Sequence, residues 1–175
     1  IQEEGFDQEA RYWLALCKWR DLKPQPAIND LKNLIEEVDS EEFISRIYLS
    51  LGEIYLSIDN SEDAYNNFNK GANLSKNRLL REQVYFQIAE ISFENKDFDN
   101  ALESYQKVLS NTVSITRIQD SNLKIVQIYR LRGELEKSAN RIQELIIDED
   151  FSSIKSDLDL ELTKIEFDRG KVDFA

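Results

Sequence analysis

Small and large apolar positions recur along this chain at a fixed spacing. Small residues stand at Ala27, Ala64, Ala101 and Ser138, 37 apart each time. Four residues after each comes a larger apolar one, at Leu31, Phe68, Tyr105 and Ile142, and three further on stand Leu34, Gly71, Val108 and Leu145. Steps of four and three put each trio on one face of a helix. A second helical pattern lies upstream of each trio. It reads Leu14, Ala15 and Cys17, then Tyr48, Leu51, Gly52 and Tyr55, then Tyr85, Ile88, Ala89 and Phe93, then Ile125, Val126 and Tyr129. Ala15, Gly52 and Ala89 share one slot, where a tiny side chain lets the neighbouring helix approach. One further period carries Ser138 to Ala175, and Arg169-Gly170-Lys171-Val172 echoes Arg132-Gly133-Glu134-Leu135.

Helix breakers fall between the two patterns. Asp59-Asn60, Asn95-Lys96-Asp97, Arg132-Gly133 and Arg169-Gly170 read as short turns, with Asn60 and Asp97 suited to capping the helix that follows. Lys23-Pro24-Gln25-Pro26 replaces them in the first repeat, and proline is tolerated in a helix's opening turn. Asp39 with Glu42 has the spacing of a capping box. No run of alternating β-branched residues argues for a strand. The prediction is a stack of helical hairpins, with first helices over 7–20, 41–58, 79–94 and 115–132.

Tyr48-x-x-Leu51-Gly52-x-x-Tyr55, followed by Ala64-x-x-x-Phe68, resembles the tetratricopeptide repeat. The third repeat matches through Tyr85, Ile88, Ala89, Phe98, Ala101 and Tyr105. The fourth matches more loosely, with Val126 for glycine and Ser138 for alanine. The period of 37 exceeds the family's 34, the repeat-end proline is absent, and Asp159 and Glu166 stand at two normally aromatic slots. The longer period, with Glu9-Ala10-Arg11-Tyr12-Trp13-Leu14-Ala15, bears a weaker resemblance to bacterial envelope lipoproteins built from such repeats. The resemblance implies an all-α fold, a right-handed α-solenoid of antiparallel helix hairpins. It would be a single array over 1–175, with repeats at about 7–38, 39–76, 77–113 and 114–150 and an incomplete fifth at 151–175. It also implies a non-catalytic scaffold that binds proteins or peptides, without cofactor, on a concave face lined by first helices.

Carrying the family's groove positions onto this sequence gives two rows. One runs Tyr12, Leu49, Phe86, Leu123, Leu160; the other runs Trp19, Leu56, Phe93, Arg130, Phe167. Leu16, Glu53, Glu90, Gln127 and Lys164 lie between them, with Glu94 alongside, and Trp13 and Arg20 join the first repeat as interface-type residues. The candidate partner-binding set is therefore Tyr12, Trp13, Leu16, Trp19, Arg20, Leu49, Glu53, Leu56, Phe86, Glu90, Phe93, Glu94, Gln127 and Arg130. Exposed, these rows would form an apolar gutter with an acidic strip, suited to an amphipathic partner bearing Lys or Arg. Buried, they would be packing between neighbouring first helices, and the array would act as a spacer or a self-assembly module.

Composition narrows the chemistry. The 175 residues hold 34 Asp+Glu against 22 Lys+Arg, a net charge of −12, which disfavours a phosphate-backbone binder. With no His and one Cys, the chain cannot assemble a zinc site or a His-based triad. Cys17 reads as a buried structural thiol. The longest apolar run, Tyr12 to Cys17, is far short of a membrane span. Carboxylate pairs such as Glu36-Glu37, Glu41-Glu42 and Asp148-Glu149-Asp150 bring no convergent second group. No targeting signal is present in the segment, leaving a cytoplasmic or an envelope setting equally open. A chain that begins at Ile1 without Met is expected to be part of a longer protein, with frayed or self-associating residues at its far end.

Overall fold

The computed structural model describes the backbone of residues 2–173 and the side chains of residues 7–170. Among these the chain forms nine α-helices, one 3-10 helix and no strand. The first helices of the hairpins are α1 (Gln2–Arg20), α3 (Glu41–Leu56), α5 (Arg78–Glu94), α7 (Ile115–Leu131) and α9 (Lys155–Asp173). Their partners are α2 (Pro24–Glu37), α4 (Ser61–Leu74), α6 (Phe98–Asn111) and α8 (Leu135–Ile146), and the 3-10 helix Glu149–Ile154 precedes α9. The all-α hairpin fold read from the periodicity is the fold observed.

Each hairpin turns in the same way. Asn60 N–H donates to the Tyr55 carbonyl at 3.0 Å and Asp59 N–H to the Leu56 carbonyl at 3.1 Å. These are the two bonds of a Schellman motif, with Asp59 in the left-handed region. The pattern repeats at Leu22, Lys96 and Gly133, so the left-handed residue recurs every 37 positions. Only the last of the four is a glycine. The following helices are capped locally: Asn60 accepts from Asp63 N–H, Asp97 accepts from Asn100 N–H, and Pro24 opens α2.

Three local expectations are corrected. The cap of α3 is Ser40, which accepts from Phe43 N–H, not Asp39. Glu42 reaches instead across the hairpin to Ser75 Oγ at 3.2 Å and Lys76 N–H at 3.1 Å, joining the start of α3 to the end of α4. Arg169-Gly170 is not a turn, although Gly170 falls one period after Gly133. Arg169 is held in the helical run by Glu166 at 2.5 Å and by Glu136 of α8 at 2.8 Å. Cys17 is exposed, because the buried side of α1 carries Tyr12 and Ala15 and a two-residue step from Ala15 points the other way. Ala175, and the fraying expected there, lie outside the described residues.

Two compact units divide the chain, Ile1–Ile88 and Ala89–Ala175. In the first, α1 packs on α2 and α3 on α4. The small slots have a geometric cause here: a Cβ on Gly52 would lie 2.6 Å from the Phe68 ring, and one on Gly71 2.5 Å from Leu49. Ser45 Oγ donates to the Gly71 carbonyl at 2.7 Å, satisfying a buried hydroxyl at the same crossing. Ala27, Ile28, Leu31, Leu34, Ile47, Leu51, Ile54 and Phe68 form its core.

In the second unit, Ala101, Tyr105 and Val108 of α6 are fully buried. Val126, Ile142, Leu145, Phe151, Leu158 and Ile165 join α7, α8, the 3-10 helix and α9 in one apolar cluster. Serine at the small slot of α8 is accommodated because Ser138 Oγ donates to the Val126 carbonyl at 2.8 Å. Gln119 of α7 ties the 3-10 helix in place through the Asp150 carbonyl.

Candidate functional site

In the first unit α1, α3 and the adjoining part of α5 enclose an open concavity of about 700 Å3. Six of the residues expected on the concave face line it: Tyr12, Leu16, Trp19, Arg20, Leu49 and Glu53. Tyr12 and Leu49 are buried in its floor, Leu16 and Trp19 are half-buried, and Arg20 and Glu53 are exposed. Hydrogen bonds between α1 and α3 hold the wall. Tyr12 Oη and Ser50 Oγ are 2.8 Å apart, and Trp19 Nε1–H donates to Ser57 Oγ at 3.0 Å. Ser57 Oγ donates in turn to the Ile54 carbonyl at 2.7 Å. The indole is thus fixed before any ligand arrives, which lowers the ordering cost of binding.

The concavity also recruits residues that the sequence did not single out. Arg46 stacks over the Tyr12 and Phe43 rings at 4.7 and 4.4 Å and pairs with Glu9. Its Nε is buried without a hydrogen-bond partner. Leu80, Gln83, Val84 and Gln87 of α5 close the opposite side. A signal for Gln87 was present, since it stands one period before Lys124 and two before Glu161.

The Glu53 carbonyl accepts from Ser57 N–H at 3.1 Å, but its carboxylate has no ion-pair or hydrogen-bond partner among the described residues. Desolvation in the concavity holds its carboxyl above the ordinary glutamate value although the side chain stays open to solvent. Burial is partial in effect: the carboxylate loses water on one side without gaining a cation.

The corresponding strip of the second unit is occupied by its own side chains. Glu90 accepts from Tyr105 Oη and from Lys124 Nζ, the latter at 3.3 Å. Lys124 also lies 4.4 Å above the Phe93 ring. Gln127 Nε2 donates to Glu161 at 3.3 Å, and Arg130 bridges Glu161 and Asp168 at 3.1 Å each. Lys164 completes the set at 2.6 Å from Glu161, a carboxylate only 2% exposed. Glu90, Phe93, Gln127 and Arg130 are therefore engaged within the unit, and Glu94 is exposed at the end of α5.

The remaining expected positions do not line the concavity. Leu56 and Phe86 are half-buried elsewhere in the first unit. Trp13 is 56% exposed and meets the Tyr12 ring edge-on at 5.3 Å, on a face of α1 that it shares with Leu14 and Cys17. Leu123 is half-buried against the second unit's core, while Leu160 and Phe167 of α9 are exposed.

Repeated hairpins with period-matched small slots and a concave first-helix face define a helical-repeat protein. Residues 45–78 and 82–111 match the family model of the tetratricopeptide repeat, so the chain carries tetratricopeptide repeats over those stretches. Such repeats serve as scaffolds for protein–protein interaction. No curated protein sequence matches the chain. Among solved structures it is similar to the MamA protein at 17% identity, covering 97% of this chain and 96% of that one, with a TM-score of 0.63. It is similar to the apo form of RapI at 15% identity and a TM-score of 0.66, covering 96% of this chain and 66% of that one. A signal transduction ATPase with numerous domains and a tetratricopeptide repeat sensor, from Pyrococcus horikoshii, matches 95% of this chain and 27% of its own, at 21% identity and a TM-score of 0.58. At these identities the likeness is one of fold. No helix among the described residues is long and apolar enough to cross a membrane.

Proposed function

We propose that the chain is a non-catalytic scaffold that holds an amphipathic segment of a partner protein, bearing Lys or Arg, in the concavity of its first unit. The observation that carries this reading is the preformed wall of Trp19, Tyr12 and Leu16 around an open volume of about 700 Å3. An apolar surface left open to water forgoes the stabilisation of burial and so attracts apolar side chains. Arg20 and Glu53 at the same site orient the ligand and tune its selectivity more than its affinity.

A second reading, an architectural or self-associating module, draws on different residues. Trp13 and Leu14 on α1 and Leu160 and Phe167 on α9 expose large apolar side chains away from the concavity. Contact between copies through these faces would leave the groove without a ligand.

Trp13→Phe separates the two readings, because it leaves Trp19 as the sole tryptophan, whose emission is excited selectively over tyrosine. In this variant, acrylamide is expected to quench Trp19, and amphipathic basic peptides are expected to protect it. Quenching unaffected by any peptide, together with a molecular mass that rises with concentration in light scattering, would favour the architectural reading instead.

A further inference from the structure

The 37-residue period places equivalent pairs between consecutive first helices: Glu53 with Gln87, Glu90 with Lys124, and Gln127 with Glu161. The last two pairs are closed at 3.3 Å each. In the second, the ammonium of Lys124 sits on Glu90 and over the Phe93 ring. In the third the polarity is exchanged, and Gln127 donates to Glu161. The third pair is also an amide and a carboxylate, but Arg130 and Lys164 bring cations to Glu161. Among the described residues Glu53 is the one of the three carboxylates without a cation, and Gln87 occupies the position where Lys124 stands one repeat later. Both Glu53 and Gln87 line the concavity, where Trp19 supplies an aromatic face.

We propose that this open pair is the acceptor for a lysine side chain of the partner protein, whose ammonium rests on Glu53 as Lys124 rests on Glu90. The inference rests on the groove reading above and assigns its selectivity. The chain carries its own template for the contact, so the chemistry of the occupant is read from charge complementarity within one molecule. A lysine suits the site because its aliphatic stem can lie along Leu16, Trp19 and Val84 while only its tip meets the carboxylate. The partner residues flanking that lysine are apolar, matching the wall they would touch. A guanidinium also fits a single carboxylate through two parallel N–H groups, so the preference for lysine is taken from the template, Lys124, whose ammonium meets Glu90 at 3.3 Å.

The test selects peptides from a random display library on the wild-type protein and reads groove occupancy as protection of Trp19 in the Trp13→Phe variant. Selected peptides are expected to carry lysine at one fixed position between apolar residues. Acetylation of that lysine and Glu53→Gln should each weaken binding roughly tenfold, and the two together should weaken it no further than either alone. Gln87→Lys installs in the first unit the cation that Lys124 supplies in the second. It is expected to keep the fold by circular dichroism and thermal melting, and to abolish peptide binding by filling the acceptor from within. Peptides that protect Trp19 but carry no lysine, or arginine in its place, would overturn the inference and leave the scaffold reading standing. So would an affinity untouched by Glu53→Gln. A selection yielding no peptide that protects Trp19 would overturn both.

Discussion

The strip between consecutive first helices is built from the same period in both units, yet it ends in opposite states. In the second unit Lys124, Arg130 and Lys164 neutralise Glu90, Glu161 and Asp168, and the strip closes on itself. In the first unit the Glu53 carboxylate finds no cation among the described residues, and it lines an open concavity. One difference of residue type at one register position, glutamine at 87 and lysine at 124, accompanies the change from internal packing to an accessible site. A repeat can therefore use one position for stability in one place and for recognition in another.

The largest effect should come from breaking the closed strip. Arg130→Ala takes one of the two cations from buried Glu161, leaving Lys164 and the Gln127 donor, and is expected to destabilise the protein by about 2–3 kcal/mol in urea unfolding. Adding Glu161→Gln should restore part of that loss, because a buried carboxylate left with fewer partners is then neutralised. The substitution one period to the N-terminal side, Phe93→Ala, removes apolar contact without stranding a charge, so it has no such rescue. Equal rescue in both places would mean that the strip's charges are incidental.

A smaller effect tests how the hairpins interlock. In the first unit a glycine faces a phenylalanine, Gly52 against Phe68, whereas the same positions two periods on, in α7 and α8, hold Val126 and Ile142. Gly52→Val is expected to cost about 1–3 kcal/mol by overpacking, since the Phe68 ring is fully buried and has nowhere to move. The double change Gly52→Val with Phe68→Ile transplants the second unit's pair and should recover most of the loss. A double variant no more stable than the single one would show that the crossings in the two units are not interchangeable.

Smaller again are the turns. Leu22 and Gly133 occupy the same left-handed position in the first and fourth hairpins. Leu22→Gly should stabilise the protein by about 1 kcal/mol, and Gly133→Ala should destabilise it by a similar amount. Nothing lies within 4 Å of a Cβ at Gly133, so the backbone alone sets that outcome. Opposite signs of the two melting shifts check the equivalence.

What could be read beforehand follows a physical division. Hairpins and slots such as Ala64 with Phe68 were legible because burial imposes the period directly on residue size. Asn60 and Asp97 were legible as caps because their side chains act on their own neighbours. Leu22 and Lys96 carry no sign of a left-handed backbone, since their conformation is imposed by the Schellman bonds around them. Cys17 was misplaced by half a helical turn, a small angular error that exchanges core for solvent. Gln127 and Arg130 stood correctly on a first helix, but their engagement depends on Glu161 and Asp168 more than thirty positions away. Whether a groove position stays open is decided by the neighbouring repeat, and no single repeat contains that information.

The smallest predicted effect concerns Glu53, and its sign separates the empty groove from the filled one. Its carboxyl titrates above the ordinary 4.5 because desolvation penalises the charged form. A group raised in the folded state contributes stability that is present below its unfolded-state value and lost as pH rises through the folded value. Relative to Glu53→Gln, the unliganded wild type should therefore lose a little stability as pH climbs through and above 4.5, the loss being kept small by solvent at the exposed side chain. A bound lysine reverses the dependence, because the ammonium needs the ionised carboxylate and binding should tighten over that same rise in pH. Melting curves of both proteins with and without a lysine peptide would read the two slopes together. Parallel slopes in the presence of peptide would mean that the ligand does not touch Glu53, and the contrast between the two units would then be one of packing alone.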